Sequence, residues 1–510
     1  MDFDVVILGG AFSGAATAML LHRHSPQARI LIVERTAAFD RKVGESSTEI
    51  SSAFMTRILD LSHHLGHHQL VKQGLRFWFH RDAAQAPDDC VEVGPRYGAR
   101  LPSFQVDRAV LDQHMLEKAV AAGSQLLRPA KVTGIDLQEG GTQTVTVESG
   151  GSTRTVTARW VVDASGRAAV LGRKLGHFRP NREHPINSVW ARFTGTKNWD
   201  GQEWREKYPQ MANDCRTGRE WATNHLLGHG WWCWIIPLKG GDVSAGIVYD
   251  ERIFQLPPGS SLAYRLQQHL LSHPLGRLIF SEARTVEGDV HAFSALPYYC
   301  EKVCGDGWAA VGDAAGFIDP LYSPGLDFCA YTTSYVARII SRHLQGEEVK
   351  VGLEYYNEQY PLTYRSWFNA LYRDKYYYLG EADLMTAALL LDVSSYYGGL
   401  VIPAYRDAEE AFSKLPFEGR PGRIAARTMN FYRSRLVKLA QNRAAAGRLG
   451  EMNHGWRALY DGFVPDWRLR KNILAGLRFW ARAEWKNLWL SRRHSATEAG
   501  GSVAPQPAEV

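Results

Sequence analysis

The chain has 510 residues, of which 45% are hydrophobic and 22% are charged, and its formal net charge is +6. This length and composition predict a globular protein of two or three domains and exclude disordered and collagen-like classes. The basic excess is too small for a dedicated nucleic-acid-binding protein, so no nucleic-acid partner is expected.

The N-terminus and the cysteines favour a cytoplasmic protein. Residues 1–4 run directly into an apolar stretch, without the basic region and cleavage site of a secretory signal. No run of eighteen apolar residues predicts a membrane span. The six cysteines form no disulfide framework, and Cys300 with Cys304 lacks a second pair at metal-ligand spacing, so neither disulfides nor a metal site are expected.

The first predicted elements form a dinucleotide-binding unit. A strand over 4–8 leads through a glycine-rich turn into a helix over 15–22, and a second strand over 29–33 ends at Glu34. In such units the glycines allow a tight turn, the helix N-terminus faces the pyrophosphate, and the acidic residue accepts from ribose hydroxyls. Ala11 replaces the usual middle glycine and adds a methyl group near the expected phosphates. Glycine-rich turns of this kind also serve packing alone.

Later segments indicate which dinucleotide is bound. Gly44-Glu45-Ser46 follows the second strand, and a predicted helix begins at Arg108 and ends near Ala122. Strands over 160–162 and 308–311 end at Asp163 and at Gly312-Asp313, where an acidic side chain suits ribitol hydroxyls. In this order the segments resemble the FAD-binding domain of para-hydroxybenzoate hydroxylase-like flavoproteins, which implies FAD as the cofactor. The candidate FAD-binding residues are Gly9, Gly10, Ala11, Ser13, Gly14, Glu34, Arg35, Gly44, Glu45, Ser46, Arg108, Asp163, Gly312, Asp313, Pro320, Gly325 and Leu326.

Two further motifs narrow the resemblance. Trp232 and Trp234 lie in a predicted strand that ends in Ile236-Pro237, and the period of two places both indoles on one face of the sheet. The spacing Trp-x-Trp-x-Ile-Pro resembles the signature of flavin-dependent halogenases. Lys72 follows the Gly-Glu motif much as the essential lysine of tryptophan halogenases does. Sheet core is the alternative interpretation for the tryptophans, and a solvated surface position is the alternative for Lys72.

The resemblance implies a reaction and its participants. In that family reduced FAD, delivered by a separate NAD(P)H flavin reductase, reacts with oxygen and with chloride or bromide to give hypohalous acid. The acid would then halogenate an electron-rich aromatic substrate of the indole, phenol or pyrrole type, either free or bound to a carrier protein. Lys72 would hydrogen-bond the hypohalous acid or become an N-haloamine, since burial lowers a lysine pKa. Trp232 and Trp234 would keep the substrate from reaching the flavin.

The sequence departs from tryptophan halogenases at the expected halide site, for which the candidates are Ser323 and Gly325. Tyr322 replaces a glutamate of that family, and Pro324 replaces a residue that has a backbone N–H. We therefore expect weaker halide binding and a preference for bromide. A FAD-dependent monooxygenase or reductase on the same fold stays an alternative function, and a catalytically inactive FAD-binding protein is the alternative from another class.

The resemblance also implies an α+β fold with α/β character. In it, a glutathione-reductase-type FAD-binding Rossmann domain is interleaved with a mixed substrate-side β-sheet and followed by a mostly helical C-terminal region. The expected segments are the first part of the FAD domain over 1–180, the substrate-side sheet over 181–290, the return of the FAD domain over 291–345, the helical region over 346–494 and a disordered tail over 495–510.

The C-terminal region carries three further expectations. Phe368, Tyr372 and Tyr376 are expected in a helical core, although in relatives this region covers the substrate pocket. A predicted apolar helix from residue 381 to 397 should be broken by Gly398-Gly399. Residues 466–493 hold eight basic and two acidic residues and predict a basic amphipathic helix. That helix would contact the inner face of a membrane, bind an acidic carrier protein, or pack on its own domain. The sequence predicts no oligomeric state.

Overall fold

A computed structural model describes residues 1–464 and 466–499. One eight-stranded sheet contains the strands of the predicted nucleotide-binding unit, and its central strands pair in parallel. Val5, Val6 and Ile7 in its middle strand are fully buried because both faces of the sheet are covered. In spatial order its strands are Cys304–Gly305, Trp308–Ala310, Ser152–Asp163, Phe3–Leu8, Ile30–Val33 and Gln125–Leu127, and an antiparallel arm adds Gln143–Ser149 and Lys131–Asp136.

A second eight-stranded sheet contains most strands of the predicted substrate-side segment and is called the substrate-side sheet. In spatial order its strands are Arg284–Phe293, Ile186–Thr194, Val243–Asp250, Trp231–Pro237, Thr223–Gly228, Leu75–Phe79, Val91–Pro95 and Arg457–Tyr460. Three of these strands come from outside the predicted segment 181–290. The last one pairs in parallel with Val91–Pro95, so a C-terminal segment completes a sheet begun near the N-terminus.

Smaller sheets and helices surround this framework. The small sheets are Phe178–Pro180, Tyr298–Cys300 and Gly316–Phe317, and Leu70–Val71 with Phe104–Gln105. The α-helices are Phe12–His24, Glu49–Ala53, Ser62–His68, Arg108–Ala121, Val170–Lys174, Gln202–Lys207, Pro209–Asp214, Leu262–Ser272, Pro274–Phe280, Gly325–Leu344, Lys350–Trp367, Ala382–Tyr396, Ile402–Arg406, Ala408–Ala411, Gly419–Ala445 and Leu469–Ala499. Turns of π-helix occur at Phe54–Ile58, Phe368–Tyr372 and Tyr397–Val401, and 3-10 turns at Pro87–Asp89, Gly166–Ala168, Arg219–Trp221, Gly312–Ala314 and Lys375–Tyr377.

The predicted break at Gly398-Gly399 is wrong. The helix Ala382–Tyr396 continues through the π-helical turn Tyr397–Val401 into Ile402–Arg406, because buried Tyr397 and Val401 hold the turn in the core on both sides of the glycines. By length and apolar composition this continuous helix could cross a membrane, but 61% of its most apolar window is buried inside the protein. Core helices of globular domains have the same character.

The C-terminal helix Leu469–Ala499 packs on the helix Ala382–Tyr396, with Ala483 buried at the contact. Arg435 also forms an ion pair with Glu484 at 2.8 Å. The helix extends past Ser495, where the disordered tail was expected to begin, and the rest of that predicted tail, residues 500–510, lies outside the described residues. The predicted amphipathic helix is thus present and packs on its own domain.

Candidate active site

The glycine-rich turn has the backbone geometry that the nucleotide motif predicts. Gly9 has a positive φ of +102°, and a Cβ at this position would lie only 2.6 Å from the carbonyl oxygen of Ala164. A Cβ at Gly14 would overlap the carbonyl oxygen of Gly9, so the helix packs directly on the turn. The amide of Gly10 donates to Glu34 Oε2 at 2.8 Å, which fixes the acidic side chain at the end of its strand.

The N-terminus of the helix Phe12–His24 fits an anionic group. Ala11 is its N-cap residue and provides no side-chain hydrogen bond, and the first turn contains no acidic residue. The first backbone N–H groups therefore lack a side-chain partner, which is the arrangement that binds pyrophosphate in Rossmann folds. With Glu34 beside the turn, these residues fit FAD.

Several other candidate residues converge on the same region. Arg108 pairs with Asp112 at 3.0 Å and lies against Gly44, where a Cβ would be 2.8 Å from the guanidinium. Burial raises the pKa of Asp313, and the nearby guanidinium of Arg108 opposes that rise. Ser13 Oγ donates to Cys329 Sγ at 3.1 Å, in the helix Gly325–Leu344 that also contains buried Leu326.

Four predicted FAD-binding residues are either exposed or bonded to other protein groups. Arg35 is exposed, and Pro320 accepts a hydrogen bond from the amide of Ser323. Asp163 is fully buried and accepts from the amides of Ser165 and Leu171, so it holds the turn that follows its strand. Glu45 is paired with buried Arg192 at 2.8 Å.

Arg192 is a residue that sequence reasoning missed. It lies in the strand Ile186–Thr194 and also pairs with Asp289 at 2.7 Å. Burial raises the pKa of Glu45, and Arg192 counteracts that effect. This ion pair holds the Gly-Glu-Ser segment on the substrate-side sheet through Glu45 Oε1.

Lys72 occupies a buried position, which contradicts the solvated-surface interpretation. Its side chain is 3% exposed, and Nζ donates to Ser46 Oγ at 2.8 Å and to the carbonyl oxygen of Ser47 at 2.7 Å. Burial lowers its pKa from 10.5 to about 8, while Glu49 and Asp327 counteract this effect. An ammonium group has three donors, so one N–H of Lys72 is left for a ligand.

Lys72 lines a cavity of about 100 Å³ between the substrate-side sheet and the C-terminal region. The walls are largely aromatic and aliphatic, with a few polar groups, and Tyr372 and Tyr397 reach the cavity from two π-helical turns. The polar or charged side chains on the walls include Thr48, Glu49, Lys72, Tyr322, Asp327 and Asp392.

The two signature tryptophans lie on one face of the substrate-side sheet, as their spacing predicts. Their ring centroids are 5.9 Å apart, and both side chains are almost fully buried. Trp232 Nε1 donates to the hydroxyl of Tyr376 at 2.9 Å, and Trp234 Nε1 donates to Ser244 Oγ at 3.1 Å. Among the described residues, neither tryptophan is part of the cavity wall that contains Lys72.

The expected halide turn has an unusual backbone. Tyr322 and Ser323 both have positive φ angles, of 70° and 60°, which are strained conformations for residues with a side chain. The amide of Ser323 already donates to the carbonyl oxygen of Pro320 at 2.9 Å. Pro324 has no N–H, so Gly325 is the first residue after it whose amide points out of the helix N-terminus.

Tyr322 is held by a buried ion pair that the sequence did not reveal. Lys375 Nζ lies 2.7 Å from Asp392 Oδ2, and both side chains are at most 3% exposed. The hydroxyl of Tyr322 donates to the same oxygen at 3.1 Å, and the hydroxyl of Tyr432 donates to Asp392 Oδ1 at 2.6 Å. Asp392 is thus fully hydrogen-bonded by protein groups.

Comparisons with known proteins agree on one family. The profile of the family described as tryptophan halogenase matches residues 95–372. Flavin-dependent halogenase chlA from Dictyostelium discoideum is 25% identical over 437 residues, which cover 79% of this chain and 70% of the relative. Tetracycline 7-halogenase from Kitasatospora aureofaciens is 27% identical over 355 residues, which cover 64% of this chain and 60% of that relative.

Solved structures show the same fold. The crystal structure of halogenase PltM in complex with phloroglucinol and FAD has a TM-score of 0.71 and 17% sequence identity, with 95% of this chain and 96% of that chain covered. The predicted fold class, with a mixed α/β framework and a helical C-terminal region, is confirmed by this similarity. The family profile covers more than half of the chain, which therefore belongs to the tryptophan halogenase family of flavin-dependent halogenases.

Proposed function

We propose that this protein halogenates a small electron-rich aromatic substrate, using reduced FAD, oxygen and a halide. The observation that carries the proposal is the position of Lys72, which is buried, has a free N–H and lines a largely aromatic cavity on the substrate side. A surface lysine would not need two hydrogen bonds inside the protein, and a packing residue would not need a charge.

Bound FAD, when reduced, would react with oxygen and so supply the oxidant that converts the halide to hypohalous acid. The residues that would hold it are the turn from Gly9 to Gly14, Glu34, Arg108 and Asp313. A halide would bind at the turn that contains Ser323 and Gly325. Because the Ser323 amide is engaged, we propose that the Ser323 hydroxyl and the Gly325 amide are its donors.

Lys72 would act as a hydrogen-bond and proton donor to hypohalous acid. In its ammonium form it would orient the acid through the third N–H and polarise the oxygen–halogen bond toward the substrate. Trp232 and Trp234, which lie outside the cavity wall, would separate substrate from cofactor. This separation would favour halogenation over direct hydroxylation.

The proposal is tested by an assay with the full chain, FAD, a separate NAD(P)H flavin reductase, and chloride or bromide. Phloroglucinol, free indole and a carrier-bound pyrrole acyl group are the substrates to compare. Halogenated product, recognised by its isotope pattern, supports the proposal. Oxygenated product would indicate a monooxygenase, and turnover of neither kind with bound FAD would indicate an inactive flavoprotein or a reductase. Lys72→Ala should abolish product with unchanged FAD binding, and exposed Lys239→Ala is the matched control.

We also propose a cytoplasmic location, which is supported by six buried and unpaired cysteines. A peripheral contact with the inner face of a membrane through residues 466–493 is the finer proposal. On this helix Trp485 is 75% exposed and Leu488 57% exposed, beside exposed Arg482 and Lys486. Apolar and basic groups on one surface are typical of interfacial helices.

A further inference from the structure

The cavity wall contains the carboxylate of Asp327, which has no role in the halogenation steps proposed above. Asp327 lies in the first turn of the helix Gly325–Leu344 and is 1% exposed, yet its side chain reaches the cavity wall. The Thr48 hydroxyl and the Ser51 amide both donate to Oδ1. The hydrogen bonds from these two residues thus end on one carboxylate oxygen, which leaves Oδ2 for a group inside the cavity.

We propose that Asp327 accepts the hydroxyl proton of the substrate, and that the cavity therefore selects phenols over aromatic rings without an acidic O–H. This inference rests on the proposed halogenase function and specifies its substrate class. The glutamate that tryptophan halogenases have at the position of Tyr322 is absent here, and Asp327 brings a carboxylate into the same cavity from a different position.

The other carboxylates on the cavity walls are less suited to this role. Asp392 already accepts from Lys375, Tyr322 and Tyr432, so both of its oxygens are occupied. Glu49 is only half-buried and accepts from the Tyr397 hydroxyl at 2.9 Å. A desolvated carboxylate is the stronger base, because burial disfavours its charged form.

The groups that face Asp327 are consistent with proton transfer near neutral pH. The charges of Lys72 and Glu49 interact with that of Asp327, and Tyr331, Tyr372 and Tyr396 lie near enough for the Asp327 charge to raise their pKa values. Burial raises the pKa of Asp327 to about 7, hydrogen bonds from Thr48 and Ser51 oppose the rise, and the charge of Glu49 adds to it. A phenol, with a pKa near 10, can transfer its proton to such a base during the reaction.

In the proposed step the phenol ring attacks hypohalous acid, with Lys72 as proton donor and Asp327 as proton acceptor. A ring carbon ortho or para to the hydroxyl attacks the halogen of hypohalous acid, and the carbon–halogen bond forms. The oxygen–halogen bond breaks, and its electron pair leaves on oxygen, which takes a proton from the Lys72 ammonium to give water. The substrate O–H bond breaks and its proton moves to Asp327. The ring proton then moves to the neutral Lys72 amine, and Asp327 returns its proton to the phenol oxygen, which restores aromaticity and both side chains. The sum is phenol plus hypohalous acid giving halophenol plus water.

The test compares a phenol with its methyl ether as substrates of wild-type and Asp327→Asn holoenzyme. Asparagine keeps an oxygen for Thr48 and Ser51 and removes the base, so the local fold is preserved. For wild type we expect bromination of 4-methylphenol but little of 4-methylanisole. In Asp327→Asn we expect kcat for 4-methylphenol to fall by a factor of about 10 to 100, the worth of a hydrogen bond to a charged group. The loss should shrink with 4-nitrophenol, which ionises without help.

Binding to the oxidised FAD holoenzyme gives a second readout that is independent of turnover. Titration calorimetry should show that wild type binds 4-methylphenol more tightly than 4-methylanisole, and that Asp327→Asn loses this preference. Exposed Asp136→Asn is the control for a carboxylate-to-amide change. If wild type makes no brominated product, the proposed function fails. If wild type is active and Asp327→Asn retains both rate and preference, or if only Glu49→Gln loses them, the assignment of Asp327 is overturned.

Discussion

The indole N–H of Trp232 donates to the hydroxyl of Tyr376 at 2.9 Å, and this hydroxyl in turn lies 3.1 Å from Asp319 Oδ2. His184 Nε2 lies 2.7 Å from the same carboxylate oxygen. One tyrosine therefore joins the tryptophan signature, the helical region and the segment that leads into the expected halide turn.

Tyr376→Phe should destabilise the protein and loosen this junction. It leaves the buried Trp232 N–H without an acceptor and removes one hydrogen-bond donor to Asp319. Each buried group left unpaired costs about 1–3 kcal/mol. Urea unfolding measures the loss, and the ratio of halogenated to hydroxylated product measures the separation of substrate from cofactor. Half-exposed Tyr97→Phe is the control. An unchanged free energy of unfolding would show that the junction contributes little.

Lys375→Met should be among the most destabilising single changes in the helical region. It leaves the buried carboxylate of Asp392 without its cationic partner, and removing one partner of a buried ion pair costs about 3–5 kcal/mol. Lys414→Met removes an exposed pair with Glu410 and should leave the unfolding curve unchanged. Equal effects of the two substitutions would contradict a special role for the buried pair.

Lys72→Met should abolish halogenation and at the same time stabilise the fold. Because the folded pKa is about 8 and the unfolded value is 10.5, the unfolded chain binds more protons between these values, and burying the charged amine costs about 3 kcal/mol below pH 8. The gain measured by urea unfolding at pH 7 should be smaller than this, since Ser46 and Ser47 lose a donor. A less stable, inactive variant would indicate a structural lysine.

The rate of halogenation should follow a bell-shaped pH profile. Asp327 must be ionised to accept a proton, so activity rises as pH increases through about 7, and Lys72 must be protonated to donate one, so activity falls as pH increases through about 8. Single-turnover rates with preformed reduced holoenzyme measure the profile. In Asp327→Asn the acidic limb should disappear while the alkaline limb stays. An alkaline increase in wild type would instead favour reaction through the neutral amine.

Binding to anionic vesicles tests the exposed surface of the C-terminal helix. We expect the full chain to float with vesicles rich in phosphatidylserine and to lose this property when Arg482 and Lys486 are replaced by Glu. Exposed Trp485→Ser should weaken binding as well. Equal flotation of wild type and the charge-reversed variant, or none with either, would leave the helix with its packing role alone.

Local patterns were enough to predict the backbone of the nucleotide unit and to single out Lys72 as a candidate. The turn Gly9–Gly14, Glu34 and the helix beginning at Arg108 depend on residues close in sequence, whose spacing limits the backbone directly. The prediction of FAD rested on the resemblance that these segments have in their order to a flavoprotein family, and membership of a flavin-dependent family agrees with it. Lys72 was found through a motif, and its burial became visible only in three dimensions.

The acidic groups of the cavity could not be predicted in this way. Asp327 meets Thr48 across 279 positions, and neither residue belongs to a recognisable spacing. Arg192 likewise reaches Glu45 across 147 positions. Gly398-Gly399 misled the helix prediction because glycine propensity is a local preference, whereas the buried residues around the pair decide the conformation.

The strand Arg457–Tyr460 is synthesised late, yet it contributes Tyr460 to the cavity wall. Tyr460, Gly462 and Phe463 close the cavity, while the cofactor framework is complete once the helix Gly325–Leu344 has left the ribosome. Domains fold largely from the N-terminus during translation. A nascent chain would thus have the cofactor framework before residues 460–463 line the cavity, and the proposed oxidant would be enclosed only after that segment is added.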